Sequence, residues 1–214
     1  GYSFWCAGTV NAGVGLYYLQ DRNAAPVSLG SINTRVVNTY NNNLYFSSAS
    51  TGGVGVYQAG SNGIPVRASD AAVTRLTDNT YATNPSSSPY SFSINPAGNI
   101  LYIADDANFV NGTTQRGGVI KYTKSGSTWS YQYTLRVNST ITNGARGLEV
   151  DWSGAQPVLY ITSANETQLY KLTDDGTGAS TGTAFGAAAP TNYRMRGLRF
   201  APVAIGAELT CLAN

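Results

Sequence analysis

A short phrase, made of an aliphatic residue, a tyrosine and a second large apolar residue with small residues after it, occurs three times in this chain. The three copies begin at Leu44, Leu101 and Leu159, at nearly equal intervals. A pattern that returns at a fixed interval of this size indicates stacked supersecondary units rather than one irregular core. The phrase therefore constrains the architecture strongly, and it constrains the chemistry much less.

Each copy of the phrase lies between further segments in which apolar and polar residues alternate. The first unit comprises residues 34–38, 44–48 and 53–57, the second 89–94, 101–105, 118–122 and 129–135, and the third 145–150, 159–163 and 168–172. Turn-forming Gly, Asn and Pro residues separate these segments, and helical periodicity is absent from the pattern. The sequence therefore predicts short strands that form antiparallel meanders.

The two ends of the chain carry the parts of one further unit. Residues 196–202 match the first strand of a unit, whereas residues 2–8 and 14–19 match second and third strands. A unit that is split in this way indicates a closed ring, in which the last strand pairs with the first and no sheet edge stays exposed. We therefore predict one all-β domain over residues 1–214, a β-propeller of antiparallel meander blades with three whole blades and one split between the termini.

The two cysteines of the chain, Cys6 and Cys211, lie near opposite ends. A disulfide between them would hold the ring closed and would indicate an oxidising compartment, and the alternative is two unrelated buried thiols. The sequons at Asn111, Asn138 and Asn165 agree with a glycosylated, secreted protein. No signal peptide or transmembrane run is evident, so we expect a mature extracellular product.

The first strands and the Leu-Tyr strands together resemble those of a known group. Residues 34–38, 88–92, 144–148 and 196–202, taken with the three tyrosine phrases, resemble secreted propellers of the NHL/YVTN-like kind. In that group the corresponding stretch is similar to the C-terminal part of a longer, seven-bladed protein. The resemblance implies that an N-terminal portion is missing from this chain or that a second, complementary chain supplies it.

The charge content excludes several classes of function. Charged residues make up 11% of the chain, and 13 basic and 11 acidic residues are spread without runs, so we expect no nucleic-acid partner. The chain has no His, which excludes Ser-His-Asp and Cys-His catalysis and the usual metal-ligand clusters. We expect no cofactor. Calcium is an alternative at Asp105-Asp106 and at Asp174-Asp175, which are otherwise expected to be a strand-end cap and a hairpin turn.

Four residues fall at the same position near the start of the first strand of their units: Arg35, Tyr90, Arg146 and Arg196. In a propeller the first strands line the central channel, so these side chains should converge at the channel mouth. Three guanidiniums and a phenol suit a carboxylate, a sulfate or an acidic sugar, because arginine keeps its charge and binds such groups in a bidentate manner. In the alternative interpretation, each arginine binds backbone carbonyls or a neighbouring carboxylate and only joins the blades.

These features lead to one main functional hypothesis and two alternatives. The main one is a secreted, non-catalytic propeller that binds an extracellular glycan or a protein partner at the channel mouth. The first alternative is a lyase or hydrolase that acts on acidic polysaccharides, with Tyr90 as the base beside an arginine. The second is a structural subunit of an extracellular assembly, formed by a homo-oligomer. The lack of His and the scarcity of carboxylates favour a protein that is not an enzyme.

Overall fold

A computed structural model describes residues 3–8, 15–50, 53–61, 63–110 and 115–201 of the chain. Almost all regular structure in these ranges is β-strand, and the strands form four antiparallel sheets. In every sheet, strands that follow one another in sequence pair side by side. The prediction of an all-β chain built from antiparallel meanders is confirmed.

The first two sheets occupy the N-terminal part of the chain. The first sheet consists of β1 (Phe4–Gly8), β2 (Gly15–Leu19) and β3 (Val27–Gly30). The second consists of β4 (Thr34–Tyr40), β5 (Asn43–Ser50), β6 (Gly53–Ala59) and β7 (Val73–Arg75). The sequence predicted five of these strands, and it missed β3 and β7, which are short strands at the sheet edges.

The third and fourth sheets follow after a short helix, α1 (Asn79–Thr83). The third sheet consists of β8 (Pro89–Ile94), β9 (Ile100–Asp105), β10 (Gly118–Ser125) and β11 (Thr128–Leu135). The fourth consists of β12 (Ala145–Asp151), β13 (Val158–Ser163), β14 (Leu169–Thr173) and β15 (Thr183–Ala184). All of these strands except β15 were predicted, and the three tyrosine phrases lie on β5, β9 and β13.

Neighbouring side chains of each tyrosine phrase pack against different sheets, because successive residues of a strand point to opposite faces. Leu44 belongs to the core between the first and second sheets, and Tyr45 packs against the core between the second and third. Leu101 lies in that second core, while Tyr102 lies in the core between the third and fourth sheets. Leu159 shares this last core. The repeated phrase therefore joins the sheets in chain order.

The predicted closing strand at residues 196–202 is wrong for its described part, because residues 193–201 belong to no strand. This segment lies instead against the fourth sheet, where the Phe200 ring is 5.6 Å from that of Tyr160 and Arg199 Nη1 is 2.8 Å from Glu149 Oε2. A strand needs a neighbour for its backbone groups, and β1, its expected partner, pairs only with β2 in the first sheet.

Between β6 and β8, residues 61–88 contain β7 and α1. Asp78 caps the helix by accepting a hydrogen bond from the Tyr81 backbone N–H at 2.9 Å. Tyr81 is fully buried and donates its hydroxyl to Asp105 at 2.6 Å. The helix is five residues long, which is too short to produce a periodic pattern in the sequence. Within the described ranges, no helix is long and apolar enough to cross a membrane.

A buried carboxylate connects the third sheet to the turn that follows β14. Asp174 accepts hydrogen bonds from Lys121 Nζ at 2.8 Å, from the Tyr133 hydroxyl at 2.9 Å and from the Tyr102 hydroxyl. The Gly176 N–H adds a fourth at 2.9 Å. Burial by itself raises the pKa of the Asp174 carboxyl, but hydrogen bonds from Lys121 and Tyr102 hold the pKa below its usual value. Residues 174–178 are therefore an ordered turn that fixes one sheet to the next.

Replacing Asp174 with Asn should make stability less dependent on pH. A carboxyl whose pKa is lower in the folded state stabilises the protein above its unfolded pKa, and that contribution is lost as the pH falls through the folded value. We expect D174N to be less stable than the wild type by about 1–3 kcal/mol near neutral pH. This difference should narrow below roughly pH 4. Urea unfolding of both proteins at several pH values measures the effect, and a pH-independent difference would contradict the assignment.

Candidate functional site

The structure brings together the four residues that were predicted to converge. Arg35 lies on β4, Tyr90 on β8 and Arg146 on β12, each one residue after the start of its strand. The guanidinium carbon of Arg35 is 4.2 Å from the centre of the Tyr90 ring, and that of Arg146 is 4.7 Å from it. Such distances are typical of cation–π contacts. Tyr90 therefore connects the arginines of two sheets that are not adjacent in the stack.

Two carboxylates lie between the three guanidiniums. Asp106 Oδ2 is 2.6 Å from Arg146 Nη2, and Asp106 Oδ1 is 3.9 Å from Arg35 Nη1. Glu166 Oε1 is 2.5 Å from Arg146 Nη1, and Glu166 Oε2 is 3.2 Å from Arg196 Nε. Positive and negative groups therefore alternate in the order Arg35, Asp106, Arg146, Glu166, Arg196. We call these five residues the arginine–carboxylate chain.

Within the arginine–carboxylate chain, Arg146 at the middle is held more strongly than Arg196 at the end. Burial lowers the pKa of Arg146, but its hydrogen bonds to Asp106 and Glu166 outweigh that effect and hold the pKa above its usual value. The side chain of Glu166 is only 6% exposed, whereas that of Arg196 is 75% exposed. Arg196 reaches Glu166 through Nε, and its two terminal nitrogens have no partner within the described part of the chain. Three cations and two anions give this group one positive charge in excess, and Arg196 is the most exposed of the three arginines.

Local backbone structure places the two carboxylates. Asp106 follows Asp105, a buried residue that accepts hydrogen bonds from the backbone N–H groups of Ser88 at 2.8 Å and Gly117 at 2.9 Å. Burial raises the pKa of the Asp105 carboxyl in spite of these bonds. Glu166 has a left-handed φ of 60° in the turn after β13, and its carbonyl accepts the Met195 N–H at 2.7 Å. Both acids therefore lie just beyond the second strand of their sheets.

A cleft of about 180 Å³ opens beside Arg196. Tyr90, Ser91, Arg146 and Glu166 line it together with Arg196. Arg146 Nε is buried there and has no hydrogen-bond partner among the described residues. A cleft that combines an exposed guanidinium, a hydroxyl and an aromatic edge has the chemistry needed to bind a small anionic group.

The sequence predicted the four converging residues but missed the carboxylates that pair with them. From the sequence, Asp106 is expected to cap a strand, and Glu166 is the middle residue of the sequon at Asn165. Both acids follow a tyrosine phrase, Asp106 after the phrase at Leu101 and Glu166 after the phrase at Leu159. Their distances from the phrase differ, however, because Asp106 is five residues after Leu101 and Glu166 is seven after Leu159, so the repeat does not single them out. The interpretation in which the arginines join neighbouring sheets is therefore supported for Arg35 and Arg146.

The other predicted sites are placed only in part. Cys6 is exposed on β1, and Cys211 lies outside the described residues, as does Asn111. The side-chain amide of Asn138 donates to the Gly182 carbonyl at 3.0 Å, whereas Asn165 is exposed and its Oδ1 accepts the Thr167 hydroxyl at 3.0 Å. The disulfide and the glycans stay predictions.

The two calcium alternatives involve carboxylates that already accept hydrogen bonds or form ion pairs with other residues. Asp105 binds Tyr81 and backbone N–H groups, Asp106 pairs with Arg146, and Asp174 binds Lys121. Within the described ranges, no three acidic, His or Cys side chains are grouped closely enough to hold a metal ion. The carboxylates at these positions are instead engaged in holding turns and neighbouring sheets.

Replacing Arg146 with Ala should destabilise the protein, because Asp106 and Glu166 would both lose their closest cation. We expect a loss of about 1–3 kcal/mol in the free energy of unfolding. Arg199→Ala is the matched control, since Arg199 is 55% exposed and forms one surface pair with Glu149, worth about 0–1 kcal/mol. Urea unfolding of the three proteins measures both changes. Equal urea midpoints of unfolding for Arg146→Ala and the wild type would show that the arginine–carboxylate chain does not hold the sheets together.

Comparison with known proteins gives no family for this chain. No model of a known protein family matches it, and no curated protein does. The resemblance to secreted NHL/YVTN-like propellers therefore stays a prediction that depends on the repeat and its first strands.

Proposed function

We propose that the four meander sheets are blades of a β-propeller, arranged side by side around a common axis. Two observations support this arrangement. The sheets pack in chain order through three separate cores. The starts of β4, β8 and β12 lie together, because Tyr90 contacts both Arg35 and Arg146. First strands that meet at one end are what blades around an axis require.

We further propose that the protein is a secreted, non-catalytic domain that binds an acidic glycan in the cleft beside Arg196. The observation that carries this proposal is the guanidinium of Arg196, which is 75% exposed and pairs with Glu166 only through Nε, whereas the side chains of Arg35 and Arg146 are 23% and 27% exposed. A uronate carboxylate or a sugar sulfate would accept two parallel hydrogen bonds from its terminal nitrogens. Ser91 also lines this cleft, and a serine hydroxyl suits a sugar hydroxyl.

The size and charge of the cleft favour one charged sugar unit at a time. Its volume of about 180 Å³ is below the roughly 300 Å³ at which pockets for drug-sized ligands begin. The Tyr90 ring already contacts Arg35 and Arg146, so we assign it the role of holding these arginines rather than of stacking on the sugar. Arg35 and Arg146 then serve as the support for Arg196, through Asp106 and Glu166.

Replacing Arg196 with Ala should weaken binding of a uronate oligosaccharide, because the bidentate contact to its carboxylate is lost. We expect the Kd to rise roughly tenfold or more. Arg194→Ala is the matched control, because Arg194 is exposed two residues away and bonds only its neighbour's carbonyl within the described part. Isothermal titration with a glucuronate oligosaccharide, and with the neutral glucose analogue, measures the effect. An equal loss of uronate affinity in Arg196→Ala and Arg194→Ala would show that Arg196 contributes only through the net charge of the protein.

A second candidate function is elimination on a uronate, with the Tyr90 hydroxyl as the base. The contact of the Tyr90 ring with two guanidiniums favours it, because a guanidinium beside the base can bind the carboxylate of the uronate. Tyr90→Phe removes the hydroxyl and keeps the ring against both arginines. For a binding protein we expect unchanged affinity and no release of unsaturated uronate products by either protein. Product release that the wild type shows and Tyr90→Phe lacks would establish the enzymatic function instead.

A further inference from the structure

The fourth sheet has an apolar groove on the face that points away from the third sheet. Tyr160, Leu169, Phe185, Leu198 and Phe200 line a space of about 280 Å³ there. Phe185 is 46% exposed and Phe200 is 51% exposed. Two large apolar side chains that stay half exposed in one groove mark a surface for contact with another protein surface.

The same face of the second and third sheets is covered inside the molecule. Tyr45 on that face of the second sheet packs against the core that contains Phe92 of β8. Tyr102 on that face of the third sheet stacks on Trp152, with ring centres 5.4 Å apart. Tyr160 holds the equivalent position in the fourth sheet, where its ring lies near Phe185, Phe200 and Lys171 and meets no further sheet among the described residues. The groove therefore corresponds to the face that packs on the next sheet in two other places, between the second and third sheets and between the third and fourth sheets.

The first sheet carries the other half of such an interface. Trp5 of β1 packs against the core shared with the second sheet, so Phe4 and Cys6 point to the opposite face. Phe4 is 52% exposed, and Cys6 is exposed as well. Phe4 precedes Trp5 as Leu44 precedes Tyr45, and Leu44 contacts the preceding sheet. The outer face of the first sheet thus has the pattern of a face that packs on a preceding sheet.

The backbone shows the same match between the two ends. In the whole sheets the first strand pairs antiparallel with the second, as β8 does with β9. Residues 196–200 lie on the fourth sheet where the first strand of a following sheet belongs, and they pair with no strand among the described residues. Among the described residues, β1 is an edge strand of the first sheet, and it matches the second strand of a unit. Residues 196–200 and β1 therefore match a first strand and a second strand that each lack a partner of the other kind within the described ranges.

We propose that the groove binds the outer face of the first sheet of a second copy of this chain, so that copies associate head to tail. The occupant is a second copy because the two faces match, and because Phe4, Phe185 and Phe200 are all about half exposed in the same molecule, so these side chains do not cover one another. The interface continues the contact that residues 195–200 already make on the fourth sheet. The proposal rests on the propeller arrangement given above, and it does not depend on ligand binding.

Two different faces that complement each other form a heterologous contact, which closes into a ring or continues as a filament. In either case β1 of one copy would pair with residues 196–200 of the next. Apolar packing around Tyr160 would be accompanied by backbone hydrogen bonds that satisfy two exposed strand edges.

Light scattering coupled to size exclusion tests the proposal on the whole chain. We expect the wild type to have at least twice the mass of one chain at micromolar concentration. Phe185→Asp and Phe4→Asp, one on each face, should each raise the dissociation constant at least roughly tenfold. Val66→Asp is the control, since Val66 is 39% exposed and lies on neither face. Circular dichroism checks that every variant is folded, and Phe200→Glu replaces Phe185→Asp if that variant is not.

Mixing the two variants distinguishes head-to-tail association from other contacts. A mixture of Phe4→Asp and Phe185→Asp retains one intact groove and one intact partner face, so we expect a dimer in the mixture and monomers in each separate sample. Association of Phe4→Asp equal to that of the wild type would overturn the proposal, because it would show that two grooves pair with each other. A wild type that is monomeric at every concentration would overturn it too, and loss of thermal stability in Phe185→Asp would then indicate closure within one chain.

Uronate titration of the same samples separates this proposal from the proposed function. A monomeric wild type that binds uronate through Arg196 would overturn the assembly and leave the binding function in place. A head-to-tail assembly that binds no uronate would support the assembly and contradict the binding function.

Discussion

The fold depends on the alternation of side chains along the second strand of each sheet. In β9, Leu101 faces the second sheet and Tyr102 faces the fourth, so one strand contributes to two cores at once. The phrase on β5 does the same, so the second and third sheets each bury apolar surface on both faces. This requirement explains why the sheets stack in chain order. The faces at Tyr160 and at Phe4 have no neighbouring sheet among the described residues.

The polar contacts between the sheets follow from the same stacking. Cores fix the spacing of the sheets, and the starts of β4, β8 and β12 then lie close enough for Arg35 and Arg146 to contact Tyr90. The attraction between alternating carboxylates and guanidiniums offsets part of the cost of removing these charges from water. Arg196, at one end of the network, is its most exposed member. The proposed binding function therefore uses the end of a charge network whose other members hold the sheets.

The sequence predicted the elements that have strong local patterns. Strands such as β9 and β12 have clear apolar alternation, and the shared position of Arg35, Tyr90, Arg146 and Arg196 followed from the repeat. Short edge strands such as β3 and the five-residue helix α1 have too few residues for a period to be visible. Their formation depends on contacts made elsewhere, for α1 the burial of Tyr81 against Asp105.

The partners of the site were harder to predict than its members. Position within a repeat shows which side chains are equivalent, but it does not show which groups from other sheets meet them. Asp106 and Glu166 come from turns whose shape depends on Asp105 and on a left-handed residue. The closing strand at residues 196–200 failed for a related reason, since a strand pattern forms a strand only where a partner edge is present.

A crystal structure of the protein with a glucuronate oligosaccharide would test the central claim most directly. The account predicts the sugar carboxylate within hydrogen-bond distance of the Arg196 guanidinium, in the cleft beside Tyr90 and Ser91, with Arg35 and Arg146 still paired to Asp106 and Glu166. A carboxylate bound elsewhere on the molecule, or a guanidinium of Arg196 that stays free at saturating sugar, would contradict it.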